Sequence, residues 1–442
     1  MSKNKLQLNE FSPVLLKEWE EKINKDLKGK SLSELEWTQD DGISLSPYFN
    51  KENSKNYQKN ESELKSKSNT KKNDWETNTF IKVNNEKEGN KKALKALKEG
   101  SNSLTFRGDN LNLTVLLEGI MIEIIAIHFI TKTPTDLIQK LKDLCLARSI
   151  TFIDLDGSIS FDYLGNYARK GKWLSTEENI TKELHASFNI AKEADLRTIC
   201  ASNSYFEKSG ATVSQQIAIS LAQGTEYLNI LTSEYKAEEI ARKIQFSMAI
   251  GGNYFLEIAK IRAFRMLWSK VLTAFESTYT TTIIQGTTST LFWSNSQPKN
   301  NMLRATSSAM SGILGGCDSL TVVPFDEVAN QKEKFSERVA TNVQLILNEE
   351  SYFDKVVDPA NGSYFIENLT EEIAELSWKI FQEIEEKGGF EIGDMTVNQQ
   401  EKIEELFLHT IAINKENKAL KAENETLKKR LEAIEKHLGI NQ

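Results

Sequence analysis

The sequence predicts an α/β fold of parallel strands alternating with helices, preceded by an amphipathic arm and followed by a coiled-coil helix. Three observations carry this. Short β-branched runs and longer amphipathic runs alternate through the middle of the chain, which implies either a closed parallel barrel or a doubly wound sheet. Near the start, Phe11, Leu15, Leu16, Trp19 and Ile23 fall at near-helical spacing, so one apolar stripe can lie on another surface while Lys17, Glu20, Glu21 and Lys25 stay hydrated. Near the end, apolar and asparagine positions recur in heptads.

The elements follow in order. Residues 1–90 read as the arm. Within it come Trp37, a turn at Asp41-Gly42-Ile43-Ser44, and Pro47-Tyr48, then a stretch at 50–73 almost without apolar side chains. Such a stretch cannot offset its ordering entropy, which predicts a mobile loop. Residues 91–392 read as the α/β body. Strands are expected at Leu104–Arg107, Ile122–Ile130, Ile150–Leu155, Leu196–Ala201, Thr280–Ile284 and Leu320–Phe325. Helices are expected at Pro134–Ala147, Glu177–Ala194, Val213–Leu231, Phe255–Leu272, Met302–Leu314, Lys332–Asn348 and Glu371–Lys387. The pair Gly315-Gly316 reads as a helix C-cap, where glycine takes the left-handed conformation without steric cost.

Residues 396–442 read as the coiled coil. Ile403, Thr410, Asn417, Asn424, Leu431 and Leu438 recur at one core position, with Leu406, Ile413, Leu420, Leu427 and Ile434 at the other. Glu416 can reach Lys421 of a second chain, Glu423 can reach Lys428, and Arg430 can reach Glu435. That pattern predicts self-association, and Asn417 and Asn424 favour parallel helices in register.

Composition excludes several classes. With 442 residues, 39% hydrophobic, the chain can bury a barrel-sized core. A formal charge of −8 and a pI near 5.4 speak against nucleic acid as the main partner, since phosphate binding needs a concentrated basic face. No run is apolar for long enough to span a bilayer; Val115–Ile130 is broken by Glu118, Glu123 and His128 and reads as a buried strand. The absence of a signal-like apolar stretch and the odd, scattered Cys145, Cys200 and Cys317 predict a reducing, cytoplasmic setting. His128, His185, His409 and His437 are isolated and suggest no metal. Asp154 and Asp156 read as a helix cap, and Arg262 and Arg265 as surface or interface ion pairs.

Two motifs add a resemblance. Ser202-Asn203-Ser204-Tyr205-Phe206-Glu207-Lys208-Ser209-Gly210-Ala211-Thr212 and Asp358-Pro359-Ala360-Asn361-Gly362-Ser363-Tyr364-Phe365-Ile366-Glu367 are similar to segments of the methylmalonyl-CoA mutase family. The resemblance runs from about residue 11 to about residue 390. It implies an eight-stranded (β/α)8 TIM barrel with an N-terminal arm that packs on a partner chain, and isomerisation of methylmalonyl-CoA to succinyl-CoA with adenosylcobalamin. It also implies that this chain does not carry that chemistry. Tyr205 stands where catalytic chains of the family place a histidine against the thioester carbonyl. The arginine-glutamine-tyrosine string of those chains is replaced near Trp75-Glu76-Thr77-Asn78-Thr79-Phe80, and the nearest string to a cobalt-ligating loop, Glu435-Lys436-His437-Leu438-Gly439, has the wrong spacing. Tyr205 is expected to plug the barrel mouth. Asn361 stands where the family commonly has glycine and is expected to take a left-handed turn.

The resemblance therefore implies a non-catalytic small subunit with no catalytic, cofactor-binding or metal-binding residues of its own. Its partner is a methylmalonyl-CoA mutase large subunit that holds the adenosylcobalamin, and the tail, similar to oligomerising coils of bacterial fibrous proteins, self-associates. A structural or oligomerisation protein built on a catalytically spent barrel stays open beside it.

Overall fold

The computed structural model describes residues 14–28, 30–50, 72–172, 174–329, 333 and 335–387. The heptads from Ile403 to Leu438 and most of the polar 50–73 stretch lie outside them.

Eight parallel strands close into a barrel: β3 (Glu76–Lys82), β4 (Ser103–Arg107), β5 (Ala126–Ile130), β6 (Asp156–Phe161), β7 (Asp195–Ser202), β8 (Ile244–Ile250), β9 (Ile284–Thr288) and β10 (Ser319–Thr321). Each pairs with its successor, and β10 closes on β3 through Ser319 opposite Glu76 and Leu320 opposite Thr77. The barrel is therefore the closed alternative, not the doubly wound sheet.

The core lies between strands and helices. Outward-facing Leu104, Phe106, Phe129, Ile159 and Leu196 pack with Leu137, Ile138 and Leu141 of the helix Pro134–Ala147. On the far side Phe246 meets Phe264 and Trp268 edge to face, with ring centres 4.5 and 4.8 Å apart. Gly224 admits this packing, because a Cβ there would lie 2.7 Å from the Trp268 ring.

Several expected strands moved. The body begins before residue 91, since β3 lies inside the segment assigned to the arm. Its sequence Glu-Thr-Asn-Thr-Phe-Ile-Lys lacks an apolar run because its alternate residues Glu76 and Asn78 face a polar interior. β8 escaped for a related reason, with Gln245 facing inward. Within Val115–Ile130, a helical turn at Leu113–Leu116 and a loop precede β5. Residues 150–155 pack under the core and include a 3-10 turn, Phe152–Asp154, so the strand there is the next run, β6. The expected strand at Thr280–Ile284 begins only at Ile284, whose N–H donates to Asp318 Oδ2 at 2.8 Å.

The arm comprises the helix Leu16–Asp26 and a hairpin of β1 (Trp37–Thr38) and β2 (Ser44–Leu45), turned by Gly42 at φ +78°. The helix buries no residue, and its Trp19 stacks on Tyr48 with ring centres 4.2 Å apart. The hairpin instead docks on this chain's own barrel. The Ser214 N–H donates to Asp41 Oδ2 at 3.3 Å, and Asn253 Nδ2 donates to Gln39 Oε1 at 2.9 Å. Ser214 and Asn253 follow β7 and β8, so the hairpin lies over the strand-end face.

Candidate functional site: the barrel axis and the strand-end face

Layers of branched aliphatic side chains usually fill such a barrel. Here the axis is polar. His128 on β5 pairs through Nε2 with Glu76 Oε2 on β3 at 2.7 Å, and its Nδ1 meets Ser158 Oγ on β6 at 2.8 Å. Gln285 Nε2 on β9 approaches the same Nδ1 at 2.9 Å. Gln245 on β8 donates to Ser158 and Ser160 at 2.9 and 2.7 Å, while Ser103 donates to Glu76 Oε2 at 3.0 Å. Asn78 Nδ2 donates to Ser103, and Thr105 donates to Asn78 Oδ1, each at 3.0 Å. Contacts between strands that are not neighbours require these side chains to point at the axis. Burial works to raise the Glu76 carboxyl, but His128 and then Arg197 and Ser103 outweigh it and hold the group at about 2. His128, isolated in sequence, is thus the hub of the interior, 1% exposed.

At the strand ends, Tyr205 sits on the short helix Ser204–Lys208 directly after β7. It is half-buried, edge-on to Phe206 at 5.8 Å. Two residues on, Glu207 is buried and reaches over to accept from Ser289 Oγ at 2.5 Å after β9. Burial raises its carboxyl, with Ser289 and Lys260 opposing. Asn203 Oδ1 accepts from the Ala249 N–H at 3.1 Å, and the buried Lys260 donates to the Ala249 carbonyl at 2.6 Å beside Glu257. Gly251 lets the Glu257 carboxylate come close, since a Cβ there would lie 2.8 Å from Glu257 Oε1 and push it aside. These polar groups tie the ends of β7, β8 and β9 together.

The second motif is fixed from below. Arg262 is buried rather than a surface residue. Its Nε and NH2 donate to Asp358 Oδ1 and Oδ2 at 3.0 and 3.1 Å, NH2 to Glu367 Oε1 at 2.7 Å, and NH1 to Thr370 Oγ1 at 3.1 Å. Arg265 is likewise buried, donating to Asp318 Oδ2 at 2.7 Å and to the Gly316 carbonyl. The left-handed positions of the motif are Asp358 at φ +45° and Gly362 at φ +86°, so Asn361 is not the strained residue. Residues 362–365 and the arm residues Leu35, Trp37, Leu45 and Tyr48 wall an open, mostly apolar groove of about 590 Å³.

The remaining candidates find ordinary roles. Arg197 pairs with Asp156 at 3.1 Å, so Asp156 holds an ion pair instead of capping a helix. His185 lies on the helix Glu177–Ala191, 3.3 Å from Glu234, and is largely covered rather than exposed. All three cysteines are buried thiols. Among the described residues no three His, Cys, Asp or Glu side chains gather as a metal site, and no helix is long and apolar enough to cross a membrane.

The sequence profile described as methylmalonyl-CoA mutase matches residues 109–421. The chain belongs to the methylmalonyl-CoA mutase family. The match extends beyond the boundary near residue 390 expected from the sequence and enters the first heptads. The methylmalonyl-CoA mutase small subunit of Porphyromonas gingivalis is 34% identical over 410 residues, covering 88% of this chain and 66% of that protein. The methylmalonyl-CoA mutase of Rhizobium meliloti is 34% identical over 242 residues, covering 53% of this chain and 34% of that protein. The probable small subunit of Mycobacterium bovis is 36% identical over 207 residues, 45% of this chain and 34% of the relative. This chain thus spans between about a third and two thirds of the length of these mutase relatives.

Proposed function

We propose that this chain is the non-catalytic small subunit of an adenosylcobalamin-dependent methylmalonyl-CoA mutase, whose large subunit carries the isomerisation and the cofactor. The observation that carries the reading is Tyr205. It sits at the strand end where reacting groups of such barrels gather, in the slot that the family resemblance gives to a histidine. A phenol with an ordinary pKa of ~10 cannot tune protonation near neutrality as an imidazole can.

Adenosylcobalamin does not fit the residues present. A corrin would need the open strand-end face, yet the arm hairpin is bonded over the ends of β7 and β8. Of the two histidines among the described residues, His128 is sealed inside the axis and His185 lies on an outer helix. The cofactor therefore belongs to the partner in this reading.

The helix Leu16–Asp26 buries no residue, and beside it Leu15 at its N-cap and Trp37 of the hairpin are 59% and 53% exposed, which supports the arm as part of the surface that meets the large chain. Residues 396–442 add self-association through Ile403, Leu406, Ile413, Asn417, Leu420, Asn424, Leu427, Leu431, Ile434 and Leu438, joining small subunits to one another. Co-expression with a family large subunit tests the reading. The two chains are expected to co-purify, and deletion of the arm helix to weaken the complex without unfolding the barrel. Separate elution of the intact chains at micromolar concentration contradicts it.

A further inference from the structure

We propose that the barrel mouth beside β3 and β4 binds the phosphate group of a small phosphomonoester, held by Lys82, Arg107 and Arg169, with the body of the ligand seated on the Phe80 ring.

The site follows from strand alternation. Ile81 and Phe106 point outward into the core, so Phe80 and Lys82 continue the inward row of Glu76 and Asn78, and Arg107 continues that of Ser103 and Thr105. Lys82 and Arg107 are the last residues of β3 and β4 and stand in register on neighbouring strands. The Arg107 guanidinium lies over the Phe80 ring, 5.8 Å from its centre, and that ring is 42% exposed. Arg169 comes from the helix Tyr163–Lys170, which follows β6, and donates one bond to Asn166 Oδ1 at 2.9 Å. Burial and then the charge of Arg169 lower the Arg107 pKa.

Like charges so placed repel. Among the described residues Lys82, Arg107 and Arg169 form no ion pair, because the acids at the ends of β4 and β6 are engaged. Asp109 takes Lys132 at 2.8 Å, and Asp162, which feels Arg169 only at a distance, accepts from the Gly165 N–H at 2.8 Å. A phosphomonoester brings nearly two negative charges and three acceptor oxygens near neutrality, where a carboxylate brings one charge. Guanidinium forks and an ammonium suit those oxygens. Below the Phe80 ring the axis is filled by Asn78, Thr105 and the His128 network, so the ligand rests on the mouth instead of threading the barrel. The arm hairpin bonds over β7 and β8, which are not neighbours of β3 or β4 in the barrel.

Equilibrium dialysis of phenyl phosphate against the purified full chain, at about pH 8 and constant ionic strength, tests this without a large subunit. Saturable binding of one ligand per chain is expected. Arg107→Gln and Lys82→Gln should each weaken it about tenfold, and benzoate, with the same ring but one charge, should bind about tenfold more weakly. Inorganic phosphate should compete less well than phenyl phosphate in the native chain. Lys95→Gln, which removes a cation from a separate cleft between the helices Glu86–Lys98 and Ser336–Glu349, should leave binding unchanged. Binding that does not saturate, or that persists undiminished in both Arg107→Gln and Lys82→Gln, overturns the proposal. So does benzoate binding as tightly as phenyl phosphate, or an equal loss in Lys95→Gln. Equal affinity for inorganic and phenyl phosphate overturns the seat on Phe80.

Discussion

Replacing Arg262 by methionine should destabilise the barrel by about 3–5 kcal/mol, because it strands the buried Glu367 carboxylate, with the partly buried Asp358 beside it, rather than merely losing bonds. The guanidinium serves two acids. Asp358 is held through both oxygens at 3.0 and 3.1 Å, and Glu367, 2% exposed, at 2.7 Å. Burial pulls the Arg262 pKa down, yet Asp358 and Glu367 outweigh it and raise it. Methionine restores the volume of the stem but offers no charge, so Glu367 keeps only the Gly362 N–H at 3.1 Å. Glu367 is then a buried carboxylate without its cation, and urea unfolding at about pH 7 reads the loss. The triple change Arg262→Met, Asp358→Asn, Glu367→Gln removes the stranded charges and should recover more than half of the loss. A single-variant loss below about 1 kcal/mol, or a triple variant less stable than the single one, refutes the account of this cluster.

Two further outcomes follow from the axis and the tail. Glu76 is held at about 2 against an ordinary 4.5, so it stabilises the fold above its unfolded pKa, and that contribution is lost as pH falls through the folded value. Glu76→Gln should flatten this part of the acid-unfolding curve and cost at most about 3 kcal/mol at neutral pH; an unchanged acid profile contradicts the pairing with His128. In the tail, changing Asn417 and Asn424 to isoleucine should raise thermal stability and let the oligomer drift above a dimer, read by sedimentation. A monomeric native tail contradicts the heptad reading.

The outer half of this barrel was legible in the sequence and the inner half was not. Helices such as Pro134–Ala147 and Val213–Leu231 bury one apolar side against the strands, so their periodicity survives in the sequence. Strands β4 and β7 carry enough apolar outward residues to stand out. β3, β8 and β9 do not, because their inward residues are Glu76, Asn78, Gln245 and Gln285. A polar lining removes the continuous apolar run by which a buried parallel strand is ordinarily recognised. The same polarity hid His128, whose partners lie 30, 52 and 157 residues away in the chain. Its alternation with Ile127 and Phe129 on one short strand was the only local signal. Tyr205 was placed by motif rather than by pattern, and the structure puts it at a strand end. Arg262 looked like a surface charge because its acids lie about a hundred residues downstream, beyond any local periodicity.

The central claim is that this chain supports mutase chemistry without performing it, and the most direct measurement is turnover with and without the large subunit. The purified chain, given methylmalonyl-CoA and adenosylcobalamin, should form no succinyl-CoA and leave the cobalamin absorbance spectrum unchanged, and Tyr205→His should behave identically. Added to a family large subunit, the chain should co-elute in a complex that isomerises the substrate. Turnover or cobalamin binding by the chain alone contradicts the account.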